Sequence, residues 1–352
     1  MVISIVLVAI SLSGIHGIKI NNHFLDDIAQ ESPLKKDLLY FENNFSGIRP
    51  FEMGIDLVDS NNSIFQRDVL IEMEIVERYL QDEYGVGALV SPLTIVKSAN
   101  RAIHGGRNRF YTLPDSEKGL AEVMKLLKKN KKLREYKMLV NENRARISGK
   151  MKDLGSLEVA ERNLSLATYL AENTALATFH ITGAAQLMDN SNANIALNLT
   201  RGLGIALAFT AVILGLLFSS LRIALLSLIP NAFPLILIGG MMGWFGVDLK
   251  VATALIFPIA FGIAVDDTIH LLSRLRIELE YGASWEEAIR NSILKTGKAI
   301  LITTLILSSG FGVFMFSEFQ STYYIGLLVG MALIFAVLAD LFLLPILLGT
   351  KK

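Results

Sequence analysis

The stretch that decides the fold reads Gly262-Ile263-Ala264-Val265-Asp266-Asp267-Thr268-Ile269-His270. It sets two carboxylates and an imidazole inside an otherwise apolar run, residues 251–272. About 20 residues rising ~1.5 Å each cover the ~30 Å hydrocarbon core of a bilayer, so the run is long enough to cross. Ionised carboxylates at that depth are costly unless paired, hydrated or protonated, and proton relay is the commonest work for which they are kept.

Working outward, the whole chain of 352 residues is 52% hydrophobic and 19% charged, against about 25% charged in an ordinary soluble domain. The charge is unevenly spread: 23 of 33 Lys and Arg, and 24 of 33 Asp and Glu, fall within residues 19–200. That block is soluble-like and nearly neutral, which argues against a nucleic-acid partner. Cysteine is absent, which excludes a disulfide framework, a thiol nucleophile and a thiolate metal site. The five histidines are scattered, so neither a metal site nor a cofactor is expected. No nucleotide-binding Gly-x-x-x-x-Gly-Lys loop and no Gly-x-Ser-x-Gly elbow occurs, so an enzyme is not expected and an ion gradient is the remaining energy source.

Six apolar spans can be drawn, at residues 1–18, 202–218, 223–244, 251–272, 299–316 and 325–348. Arg222, Arg274, Arg276, Arg290, Lys295, Lys298, Lys351 and Lys352 fall on one side, while loops 245–250 and 317–324 opposite carry a single Lys. By the positive-inside rule the basic side is cytoplasmic. The expectation is a multi-pass protein of the cell membrane, both termini cytoplasmic and residues 19–200 external. A signal peptide is the competing reading of residues 1–18, but they lack a basic n-region and a small-x-small cleavage site. Met1 opens directly onto Val-Ile-Ser-Ile-Val, so a transmembrane helix with a truncated start is expected, in a fragment of a longer protein.

The external block reads as mixed α and β. Residues 51–58 alternate like a strand, and 65–84 carry Val69, Met73, Val76 and Leu80 on one helical face. Residues 86–90 read as a short strand, and Ser91-Pro92 opens a helix through Ala102. A helix is expected over 115–128, strands over 137–141 and 144–152, a helix over 157–175 and a strand over 178–182. Two successive β-α-β units make a ferredoxin-like pattern with an insertion after the second strand. The last helix runs from Ala184 into the second span.

Pro230-Asn231, the 262–270 motif, and Ala339-Asp340-Leu341 with Leu344-Pro345 together resemble exporters of the RND superfamily, most closely the MMPL and hydrophobe-exporter branch. The resemblance covers nearly the whole chain as one of two tandem halves: one helix, an external porter domain, then five helices. Val90-Ser91-Pro92-Leu93 looks more like the second half, and the five helices resemble a sterol-sensing-type domain. The resemblance implies an α-helical membrane protein with six transmembrane helices and an external α+β porter-like domain. As domains it gives a first helix at 1–18, the porter at 19–200, and a five-helix block at 201–352 with a cytoplasmic connector helix near 284–296. The function it implies is proton-driven export of a lipid or other hydrophobic substrate. The alternative is a non-transporting, sterol-sensing-like lipid receptor or regulatory subunit. The partners implied are the lipid bilayer, the substrate, and a second RND half that is covalent, separate or a second copy.

Carried residue by residue, the resemblance gives Asp266 the proton-translocating role, with Asp267 where MMPL members often carry Tyr. His270 lies one helical turn beyond Asp266 on the same face, and Gly262 one turn before it. Asp266, Asp267 and His270 form the candidate relay. Thr304 and Ser308 share one face of the fifth span with Gly297 and Gly312, and are candidate relay neighbours. Asp340 is a further neighbour, with a helix-packing role as the plainer reading. Gly262, Gly326 and Gly330 are candidate packing positions. The basic run Lys128, Lys129, Lys131, Lys132, Arg134 and Lys137 reads as a solvated helix end. Glu286 and Arg290 read as an i,i+4 pair on a helix resting on the inner leaflet.

Overall fold

The structure, a computed structural model, describes residues 1–29, 31–129, 139–141 and 143–349. It divides into a helical unit, Met1–Asn22 with Asp26–Ala29 and Ser191–Lys352, and a sheet unit, His23–Leu25 with Gln30–Asn190.

In the sheet unit, α2 (Pro33–Asn44) precedes strand β1 (Arg49–Leu57). Then follow α3 (Arg67–Tyr79), β2 (Gly87–Val90), α4 (Pro92–Ile103), α5 (Glu117–Lys129), β3 (Val140–Asn141), β4 (Arg144–Met151), α6 (Ser156–Asn173) and β5 (Ala177–Thr182). The sheet order is β2-β4-β1-β5 with β3 beside β4, and every pairing is antiparallel. Alternation along β1 sends Phe51, Met53 and Ile55 into the core, where they meet Val69, Leu70 and Met73 from α3 and Ile147 from β4. Ser91 caps α4 by accepting from the Thr94 N–H, with the reciprocal bond from the Ser91 N–H to Thr94 Oγ1, which satisfies two backbone donors at once.

The expected strands and helices lie within a few residues of those found, with three differences. The helix expected over 65–84 ends as α3 at Tyr79, and a wider π turn, Leu80–Tyr84, closes at Gly85 with φ 87°, a left-handed value that glycine adopts without penalty. The helix α2 carries no expected pattern, because its apolar side chains Leu34, Tyr40 and Phe41 are exposed and its Lys35 is buried. Of the strand expected over 137–141, residues 137–138 lie outside the described residues, as do Lys131, Lys132, Arg134 and Lys137 of the basic run.

The helical unit contains α1 (Val2–Ile15), α7 (Ala184–Phe218, entering from the sheet unit), α8 (Leu221–Trp244), α9 (Val251–Ala254), α10 (Ile256–Glu280), α11 (Trp285–Gly312), α12 (Gln320–Leu338) and α13 (Leu344–Gly349). Among the described residues, five helices are long and apolar enough to cross a membrane: 184–218, 221–244, 251–280, 285–316 and 320–349. The first expected span forms an apolar helix of 14 residues, shorter than the ~20 a perpendicular crossing takes. Ile205, Phe209 and Leu216 on α7 and Leu305 and Ile306 on α11 are exposed, an all-round apolar surface that only lipid or another chain would cover.

The connector expected near 284–296 is not a separate helix. α11 runs unbroken from Trp285 to Gly312, because its first turn is capped by Ser284 and Glu287 and the only breaker before Gly310, Gly297, is tolerated inside a helix. The 286/290 pair is also corrected: Glu286 and Arg290 form no ion pair among the described residues. Glu278, at the end of α10, binds Lys295 at 2.7 Å and Arg274 at 2.5 Å instead.

α1 and α8 approach closely at small residues. A Cβ on Gly243 would lie 1.7 Å from the carbonyl oxygen of Gly14, and one on Gly240 would lie 2.5 Å from the Cα of Ser11. Small residues let two backbones approach this closely where packing, not water exclusion, holds helices together. Gly243→Leu is therefore expected to separate α1 from α8. In a detergent-solubilised preparation, cleavage by an added protease between α1 and α2 should rise at least tenfold, and an unchanged cleavage rate would refute this packing.

Candidate functional site

The site is built on α10. Lys250 Nζ reaches Asp27 Oδ1 at 2.8 Å, and Ser321 also donates to Asp27, so the segment after α1 ties together the starts of α9 and α12. The Lys250 N–H donates to Thr253 Oγ1 at 2.9 Å, capping the turn that leads into α10. From there α10 runs through the motif without a break to Glu280.

Successive residues on a helix turn by about 100°, so the motif divides between two faces. Asp266 and His270 lie on the open one: Asp266 Oδ1 is 3.6 Å from His270 Nε2, with side chains 71% and 66% exposed within this chain. Gly262 shares that face, and a Cβ there would meet nothing within 4 Å. Among the described residues Gly262 therefore packs against no other helix. Asp267 and Thr268 turn inward and are buried.

Behind Thr268 lies a polar network the sequence reading did not assemble. Thr268 Oγ1 is 2.7 Å from Asp340 Oδ1 and 3.1 Å from Asn231 Oδ1. Asn231 Nδ2 donates to the backbone carbonyl of Ser227 at 2.8 Å, and Ser227 Oγ donates to the Ile223 carbonyl at 2.8 Å. Ser227, Asn231, Thr268 and Asp340 are all essentially inaccessible, and among the described residues Asp340 Oδ2 has no hydrogen-bond partner. The network joins α8, α10 and the segment after α12. Asp340 sits in a π turn, Ala339–Leu343, because Pro345 has no N–H to give the Leu341 carbonyl and the Leu344 N–H reaches back to Ala339 instead. Such single π turns inside helices are frequent at functional sites.

Asp340 thus makes a direct side-chain hydrogen bond to the motif, beyond the packing role that was the plainer expectation. Thr304 is buried on α11, while Ser308 donates to the Gly330 carbonyl at 3.4 Å and so serves the contact with α12 instead of a carboxylate. Gly326 is a close-approach position, since a Cβ there would stand 2.7 Å from the Phe311 carbonyl oxygen. At Gly330 the equivalent distance, to the Ser308 oxygen, is 3.7 Å, an ordinary contact. Among the described residues no group of three His, Cys, Asp or Glu is arranged to hold a metal ion. Asn231 and Thr268 stood in the sequence within motifs that carried the resemblance, Pro230-Asn231 and the 262–270 stretch, but neither was given a role. The nearest signal was that Pro230 and Pro234 flank Asn231 inside a helix.

Comparison with known proteins gives one profile match: that of the MMPL family covers residues 118–351. The membrane protein MJ1562 of Methanocaldococcus jannaschii is 24% identical over 361 aligned positions, covering 99% of this chain and 89% of that protein. The trehalose monomycolate exporter MmpL3 of Mycobacterium tuberculosis is 28% identical over 156 residues, 40% of this chain but 16% of the exporter. The membrane protein SCO6666 of Streptomyces coelicolor is 35% identical over 89 residues, 25% of this chain and 12% of that protein.

Proposed function

The chain belongs to the MMPL family, and from that premise we propose that it exports a lipid or other hydrophobic molecule, driven by the proton gradient, as one half of a two-half transporter. The observation that carries the proposal is the carboxylate–imidazole pair Asp266–His270 on the open face of α10, with buried Asp267 beside it. Ionisable groups at membrane depth face protein or water-filled cavities and mark ion pathways. A face bearing such a pair implies a partner, because each charge turned to lipid costs ~2.5 kcal/mol or more on insertion scales.

In this reading α1 is the sixth crossing, both termini are cytoplasmic, and residues 19–200 form an external porter. The sheet order β2-β4-β1-β5 supports a ferredoxin-like porter of two β-α-β units. An exporter of trehalose monomycolate among the relatives supports lipid-type cargo. So does an apolar cavity of about 690 Å³ within the helical unit, lined by Ile15, Ile18, Leu203, Leu207, Leu235 and Phe257 among others, a size that suits a small apolar ligand. The same cavity favours the second reading, a non-transporting lipid receptor, for which the ionisable pair on α10 would have no use.

The vesicle assay that separates the two readings uses the purified chain, with its second half if one exists, and a fluorescent phospholipid as probe. Transfer should require an imposed pH gradient and should dissipate it, whereas tight binding without gradient-dependent transfer would favour the receptor. The partner is tested separately. The chain has no cysteine, so a single Gly262→Cys reports only on what faces α10. With a cysteine scanned along the corresponding helix of a second copy or half, a disulfide should form at some position, since bridged Cα atoms lie ~4.4–6.8 Å apart. Failure at every position in the active protein would refute a partner at this face.

A further inference from the structure

The buried network contains one more acceptor than an ionised Asp340 allows. Asn231 Nδ2 donates to the Ser227 carbonyl at 2.8 Å, which fixes the amide: turned over, it would set oxygen against oxygen. Asn231 Oδ1 therefore accepts from Thr268, whose Oγ1 lies 3.1 Å away, while the same Oγ1 lies 2.7 Å from Asp340 Oδ1. A threonine hydroxyl has one hydrogen to give. With Asp340 ionised, one of these two contacts has no proton between its oxygens.

A single added proton completes the chain. Asp340 then donates to Thr268, Thr268 to Asn231, and Asn231 to the Ser227 carbonyl, each hydrogen with its own acceptor. The surroundings agree. Asp340 is 1% exposed, and among the described residues its Oδ2 has no hydrogen-bond partner and it forms no ion pair with a cation. Among the described residues the titratable group facing it is Asp267 on α10, itself acidic. From α8 the network brings Asn231 and Ser227, linked to Asp340 through Thr268, and α11 brings Gly297 against the neighbouring Leu341, none of them ionisable. A buried carboxylate left with an unpaired oxygen is costly, whereas the neutral acid is far less so.

We propose that Asp340 is a second protonation site of the helical unit, whose proton decides which helix the Thr268 hydroxyl donates to. With the proton in place, Thr268 donates to Asn231 and α8, α10 and the π turn are joined by one directed chain. On release, the hydroxyl turns to Asp340 and the tie to α8 at Asn231 is lost. The assignment rests on the coupling reading only for its use in transport, so its test reads the proton directly.

Infrared difference spectra of the reconstituted full chain should contain the carbonyl band of a protonated carboxylic acid at neutral pH. The band should persist in Asp266→Asn, disappear in Asp340→Asn, and shift to higher frequency in Thr268→Val, which leaves the acid in place but removes its acceptor. Asp340→Asn, whose amide can still donate to Thr268, should retain the folded protein level, while Asp340→Leu, with no donor, should lower it severalfold. If Asp340→Asn does not fold, the Thr268→Val shift alone decides. A spectrum unaltered by both Asp340→Asn and Thr268→Val would overturn the proposal, as would a band that appears only when sodium is removed, since a cation would then hold the site.

Discussion

Asp266→Asn is expected to abolish gradient-driven export while leaving the protein folded and inserted. The side chain is exposed within this chain and, among the described residues, its ion-pair contact is the one to His270, so little packing depends on it. Asparagine keeps the shape and hydrogen-bonding capacity and removes only the titratable proton. Proton transfer by a positioned group is worth roughly 10²–10⁴ in rate, so the loss should be on the order of 100-fold or more. Proton flux driven by export should vanish with it, and probe binding should remain.

The same assay grades the neighbours. Asp267→Asn, at a buried acid, should be similar or partial, and His270→Ala milder, because an imidazole at 3.6 Å assists a carboxylate without replacing it. The decisive comparison is between Asp266→Asn and the unaltered chain at equal protein level in the same vesicles. Full gradient-dependent transfer by Asp266→Asn would sink the relay and promote the lipid-receptor reading.

Much of this site was legible because helical geometry is local. The spacing of Gly262, Asp266 and His270 fixed them on one face, and the ~100° step separated Asp267 from them. What the sequence could not supply is which residues of distant helices meet that motif. Asn231 and Asp340 are separated from Thr268 by 37 and 72 positions, and only tertiary packing brings them within hydrogen-bond distance. The glycines show the same division. Gly326 was legible from its spacing to Gly330, but the tighter contact of Gly14 with Gly240 and Gly243 joins separate helices and has no local signature. In the sheet unit the period-two alternation of β1 and β4 carried the strands, while α2 was missed because a helix with exposed apolar residues and a buried lysine inverts the usual rule.

The second large effect lies in the sheet unit. Arg49, the first residue of β1, and Asp189, in the opening turns of α7, form an ion pair whose side chains are 2% and 8% exposed. The guanidinium also lies over the Phe24 ring, 5.1 Å from its centroid. Asp189→Ala would leave Arg49 buried without its counter-charge, which costs about 3–5 kcal/mol where a buried pair is broken from one side. Arg49→Met combined with Asp189→Leu removes both charges and both desolvation penalties, along with Arg49 Nη1 and Asp189 Oδ1, which lack partners among the described residues. Such paired apolar replacements are often neutral or stabilising. Amide hydrogen exchange of β1 and β5 in the full chain reads the difference: protection should fall by on the order of 100- to 1,000-fold in Asp189→Ala and return in the double variant. A double variant as unprotected as the single would mean that the pair's specific geometry, and not the avoidance of a lone buried charge, holds the start of β1 to α7.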